Sequence, residues 1–158
     1  MHIRPSALLP LLLAAAASAQ APAPATSVDY RSIARHTDAL LRKETGTRLE
    51  LDDPPDSGKP FRNRTNRVTW NNSSLDQRVI SIVVEPIAEE SETTAVLTAA
   101  LLVSVSAVDS FEEALRITNM VKQAQESDGR ARMVKLNHGV RLFRAKADNE
   151  AAKYHIKL

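Results

Sequence analysis

Lys59, Arg62, Arg64 and Arg67 fall in one short stretch of chain, with Phe61 among them and Trp70 just beyond. Guanidinium groups offer several N–H donors in a fixed fork that matches carboxylates and phosphates. Arg beside an exposed aromatic is also typical of contact surfaces. The chemistry on offer is recognition of an anion, not bond breaking. A second set closes the chain. Lys153, His155 and Lys157 alternate with Tyr154, Ile156 and Leu158, so a strand there puts the three polar groups on one face. Residues 130–158 hold eight basic side chains against two acidic ones, a net +6. The chain after Ala19 carries 20 Lys and Arg against 19 Asp and Glu, a net +1. Charge is therefore segregated toward the C-terminal segment. The competing explanation for both clusters is charge that keeps sheet edges from pairing with neighbours.

Other chemistries find less support. His36 and Asp38 are two apart, and on a helix such positions point to nearly opposite sides, so they do not form a dyad. His36, His138 and His155 are distant in sequence and show no i, i+4 pair, so no metal set is expected. Asp52, Asp53 and Asp56 lack calcium-loop spacing, and Pro54-Pro55 stiffens the backbone between them. No nucleophile elbow, phosphate loop or dinucleotide fingerprint is present, and the four glycines do not cluster. The chain has no cysteine, which removes thiol catalysis, lipidation at cysteine and disulfides. Neither a catalytic residue, a metal nor a cofactor is expected. The low net charge and sparse aromatics speak against nucleic acid.

The elements that would position these groups follow from periodicity. Residues 1–19 open with His2 and Arg4, run through Leu and Ala, and end Ala17-Ser18-Ala19. That is the pattern of a secretory signal cleaved after Ala19, and it places the protein in the periplasm or outside the cell. The apolar run is too short to span a bilayer, as is Ala95 to Val108, so no membrane span is expected. Residues 20–26 alternate Ala and Pro as a linker, and 27–158 form one domain. Asp29 to Thr45 reads as a helix capped by Ser27 or Asp29, with Gly46 at its end. Thr47 to Leu51 reads as a strand, and Asp52 to Asn66 as a long irregular loop. Arg67 to Trp70 is a strand and Asn71 to Ser74 a turn. Arg78 to Val84 is a strand ended by Pro86, followed by an acidic turn through Glu92. Ala95 to Val105 reads as the return strand, with a helix over Glu89 to Leu102 as the alternative. Ser110-Phe111-Glu112-Glu113 is a capping box that starts a second helix, which Asp128-Gly129 ends. Arg132 to Leu136 and Val140 to Ala147 flank a turn at Asn137-His138-Gly139, and Ala152 to Leu158 is the last strand.

The expected fold is α+β. A mostly antiparallel sheet of about five to seven strands carries two helices on one face, in the order α-β-β-β-β-α-β-β-β. The expected function is an exported, non-enzymatic interaction module. It binds a protein or an anionic envelope polymer through Lys59, Arg62, Arg64, Arg67 and Trp70, with help from Lys153, His155 and Lys157. The alternatives are a small exported hydrolase, built from His36 or His138 with Asp52 or Asp53, and a structural subunit of an envelope assembly.

Overall fold

The computed structural model describes residues 30–49, 61–62, 65–73, 78–148 and 150–158. The signal at 1–19, the linker at 20–26, the capping residues Ser27 and Asp29, and the acidic residues Asp52, Asp53 and Asp56 lie outside the described residues.

The fold is α+β, as expected, with three helices and an antiparallel sheet among the described residues. Helix α1, Tyr30–Thr45, buries Ile33, Ala34, Thr37 and Leu41 at helical spacing. Gly46 ends it at φ 70°, its N–H donating to the Arg42 carbonyl at 3.1 Å. Three strands follow: β1, Phe61–Arg62; β2, Asn66–Asn72; and β3, Val79–Pro86. Helices α2, Glu92–Ser104, and α3, Phe111–Asp128, come next. The Ser110 hydroxyl accepts from the Glu113 N–H at 3.3 Å at the start of α3, and Gly129 closes it at φ 69°. The chain then returns through β4, Val134–Lys135, one turn of 3-10 helix at Asn137–Gly139, β5, Arg141–Ala145, and β6, Lys153–Lys157.

The strand order is β1-β2-β3-β6-β5-β4, antiparallel throughout. Two three-strand meanders thus meet at the β3–β6 pair. All three helices lie on one side. Tyr30 of α1 meets the Trp70 ring of β2 edge-on at 4.7 Å. Thr94 of α2 donates to Asn66 Oδ1 of β2 at 2.6 Å. Gln125 of α3 accepts from Arg144 of β5. Asn66, Trp70 and Arg144 belong to the buried set of alternate strand residues, with Val68, Ile82, Val84, Leu142, Tyr154 and Ile156.

Four expectations are corrected. Ala95 to Val105 is not a return strand: Ala95 to Ser104 lies in α2 and Val105 caps it. That helix is enclosed by α1, α3 and the sheet, and its Thr94, Ala95 and Leu97 to Leu102 are all buried. Thr47 to Leu49 is not strand, and the rest of that expected element lies outside the described residues. Phe61–Arg62, expected in an irregular loop, pairs with β2. Asn71 and Asn72, expected in a turn, extend β2. The order after α1 is therefore β-β-β-α-α-β-β-β.

Candidate functional site

The sheet side away from the helices is built from the other set of alternate residues. Strand register arranges them in rows. One row crosses the sheet as Asn71–Ser81–Lys157–Arg141–Lys135, from β2 to β4. The next runs Thr69–Val83–His155–Phe143. A third begins with Arg67 opposite Glu85 and ends with Lys153 opposite Ala145.

The cations on this face differ in their company. Lys153 Nζ lies 3.1 Å from Glu85 and 2.8 Å from Glu150. Hydrogen bonds to Glu150 first and Glu85 second raise its pKa above the usual lysine value. Arg67 faces Glu85 at 3.8 Å. That end of the face is internally neutralised. At the other end Lys157, Arg141 and Lys135 stand side by side on three adjacent strands, all exposed, and none is ion-paired among the described residues. Like charges directly opposite across a strand pair are destabilising. Edge protection does not account for them all, because Lys157 and Arg141 sit on interior strands.

Between the two ends, His155 stacks on Phe143 with ring centroids 4.7 Å apart and planes 2° apart. The Lys157 ammonium lies 5.5 Å from the Phe143 centroid, within cation–π range. Burial first, then Lys157 and Lys153, hold the His155 pKa below 6.5. The groups around it are Val83 across the strand on β3, Phe143 on β5 and the two lysines on its own strand. The unfolded chain therefore binds a proton that the folded one refuses. This contribution to stability is complete above pH 6.5 and is lost as pH falls through the lowered folded value. Urea midpoints measured from about pH 8 down to about pH 5 should fall, and His155→Gln should flatten the slope. An equal slope in the variant would assign it to other groups.

The structure separates Arg67 from Trp70, two residues expected to act together. Trp70 is corrected outright. It is 2 % exposed, points toward the helices with Val68, and is not a contact residue on the surface. Arg67 sits on the opposite face of the same strand. Lys59 and Arg64 lie outside the described residues, and of Arg62 only the backbone, in β1, is described. Lys153, His155 and Lys157 do share one face, as expected. His36 and His138 are exposed. Asp38 accepts the Leu49 N–H at 2.9 Å and pairs with Arg42 at 2.7 Å, a structural role. Among the described residues no group of three or more His, Asp or Glu is placed to hold a metal ion. None of the described helices is long and apolar enough to cross a membrane.

Sequence reasoning missed Arg141 and Lys135 as site residues, and it missed a buried ionic cluster. Arg144, 5 % exposed, bonds Glu90 and Gln125 and approaches Glu126 at 3.4 Å. The Tyr154 hydroxyl donates to the other Glu90 oxygen at 2.9 Å, and Lys122 lies 3.6 Å from it. Burial, with Glu90 beside it, raises the Tyr154 pKa and keeps the phenol a donor. This cluster ties the loop before α2 to α3, β5 and β6.

Comparison with protein-family models, with curated proteins and with solved structures finds no match to this chain.

Proposed function

We propose that the protein is an exported interaction module. Its open sheet face holds an anionic partner, either a protein or an envelope polymer, without performing chemistry on it. The observation that carries this reading is the row Lys157–Arg141–Lys135. Three adjacent cations with no ion pair among the described residues work against folding, and an incoming anion relieves that repulsion. The leader pattern at 1–19 supports export. Lys153, expected to help in binding, contributes little here, since Glu85 and Glu150 already occupy it.

The test uses polyglutamate immobilised on a resin. The wild-type chain should be retained in a salt-dependent manner. The triple variant Lys135→Gln/Arg141→Gln/Lys157→Gln should bind at least about tenfold more weakly. Its urea midpoint should not fall, because like-charge contacts are removed. Lys153→Gln should change retention little. Equal retention of the triple variant and the wild type would sink the reading.

A further inference from the structure

Beside the cation row lies a shallow groove of about 310 Å³, lined by Ile80, Ser81, Gly139, Arg141, Lys157 and Leu158. Its apolar walls are an anomaly of the strand. The register of β2 against β3 slips, so that Asn71 faces Ser81 but Asn72 faces Val79. Ile80 is the extra residue of this bulge. A bulge re-aims a side chain, and here it leaves Ile80 48 % exposed although Val79 and Ile82 are buried. Leu158, 36 % exposed, is held opposite by its N–H, which donates to the Ile80 carbonyl at 3.0 Å. Two aliphatic residues thus line a depression that Arg141 and Lys157 also line.

We propose that this groove seats an acidic peptide segment of a partner protein, an aliphatic side chain entering between Ile80 and Leu158 while a neighbouring Asp or Glu carboxylate meets Arg141 and Lys157. The inference rests on the anion-contact reading and adds the partner's class to it. Charge complementarity with the row accounts for the carboxylate. The exposed pair Ile80 and Leu158 accounts for the aliphatic group, which an anionic polysaccharide does not carry. The groove is at the lower end of the size of small binding clefts, and it fits one branched side chain with its acidic neighbour.

Two short capped peptides of equal charge decide the matter, one alternating Glu with Leu and one alternating Glu with Ser. Binding is followed by fluorescence anisotropy of a dye on the peptide. The Glu–Leu peptide should bind about fivefold more tightly than the Glu–Ser peptide. Ile80→Ser should erase that difference and leave Glu–Ser binding unchanged. Arg141→Gln should weaken both peptides. Equal affinity of the two peptides, with no effect of Ile80→Ser, would overturn the groove and leave the anion reading standing. Binding of an anionic polysaccharide or of anionic vesicles with neither peptide bound would do the same. Failure of all four probes would overturn both.

Discussion

Arg144→Ala should lower the free energy of unfolding by about 3–5 kcal/mol. The cost arises because the substitution strands a carboxylate. Glu90 is largely enclosed, and in the native chain its oxygens are held by Arg144 and the Tyr154 hydroxyl, with Lys122 at 3.6 Å. Without the guanidinium, Glu90 keeps only a phenol and the partly exposed Lys122 ammonium, and Gln125 loses its donor. Domains of this size are stable by only about 5–15 kcal/mol, so the loss is a large share of the whole. Urea unfolding followed by circular dichroism should show a lower midpoint with an unchanged slope. The double variant Arg144→Met/Glu90→Leu should recover much of the loss, because no buried charge is left alone. A loss under about 1 kcal/mol in Arg144→Ala would reduce the cluster to the worth of an exposed ion pair.

Trp70→Ala should cost about 3–5 kcal/mol, again in folding. The indole lies beneath α1, edge-on to the Tyr30 ring, and burial there pushes the Tyr30 phenol up to about 12. Truncation leaves a cavity between α1 and β2 that a rigid sheet does not close. Trp70→Phe should cost less, because much of the ring volume stays. As the only Trp in the chain, Trp70 should emit as a buried indole in the native protein and shift red on unfolding. An alanine variant of native stability would place the side chain at the surface.

The Trp70 correction was legible in the sequence. Arg67-Val68-Thr69-Trp70-Asn71 alternates polar and apolar, and strand parity sends Trp70 inward with Val68 and away from Arg67. The strict alternation of β6 likewise placed Lys153, His155 and Lys157 on one face. Helix α2 was harder to read. A helix buried on every side has no apolar stripe, and the run Ala95, Leu97, Ala99, Leu101, Val103 satisfies a two-residue period just as well. The capped, amphipathic α3 offered both signals that α2 lacks. The Arg144 cluster left no local trace, because Gln125 and Glu90 stand 19 and 54 positions away from their arginine. Arg141 and Lys135 could be counted as basic residues, but their place beside Lys157 depends on β6 lying against β5. That pairing is a matter of topology, not of spacing.

That same topology governs the order in which the chain can fold. The middle of the sheet pairs positions as distant as Ser81 and Lys157, so the strand that joins the two meanders is the last described element to emerge in synthesis. Until β6 docks, β3 and β5 each present an open edge, and that of β3 is rich in Val and Ile. Closing such a long loop before any contact compensates for it makes folding slow. For a chain delivered across a membrane in the manner proposed above, slowness is useful. Under the proposed export, the chain would cross with the edges of β3 and β5 still open, because β6 is the strand that pairs with both.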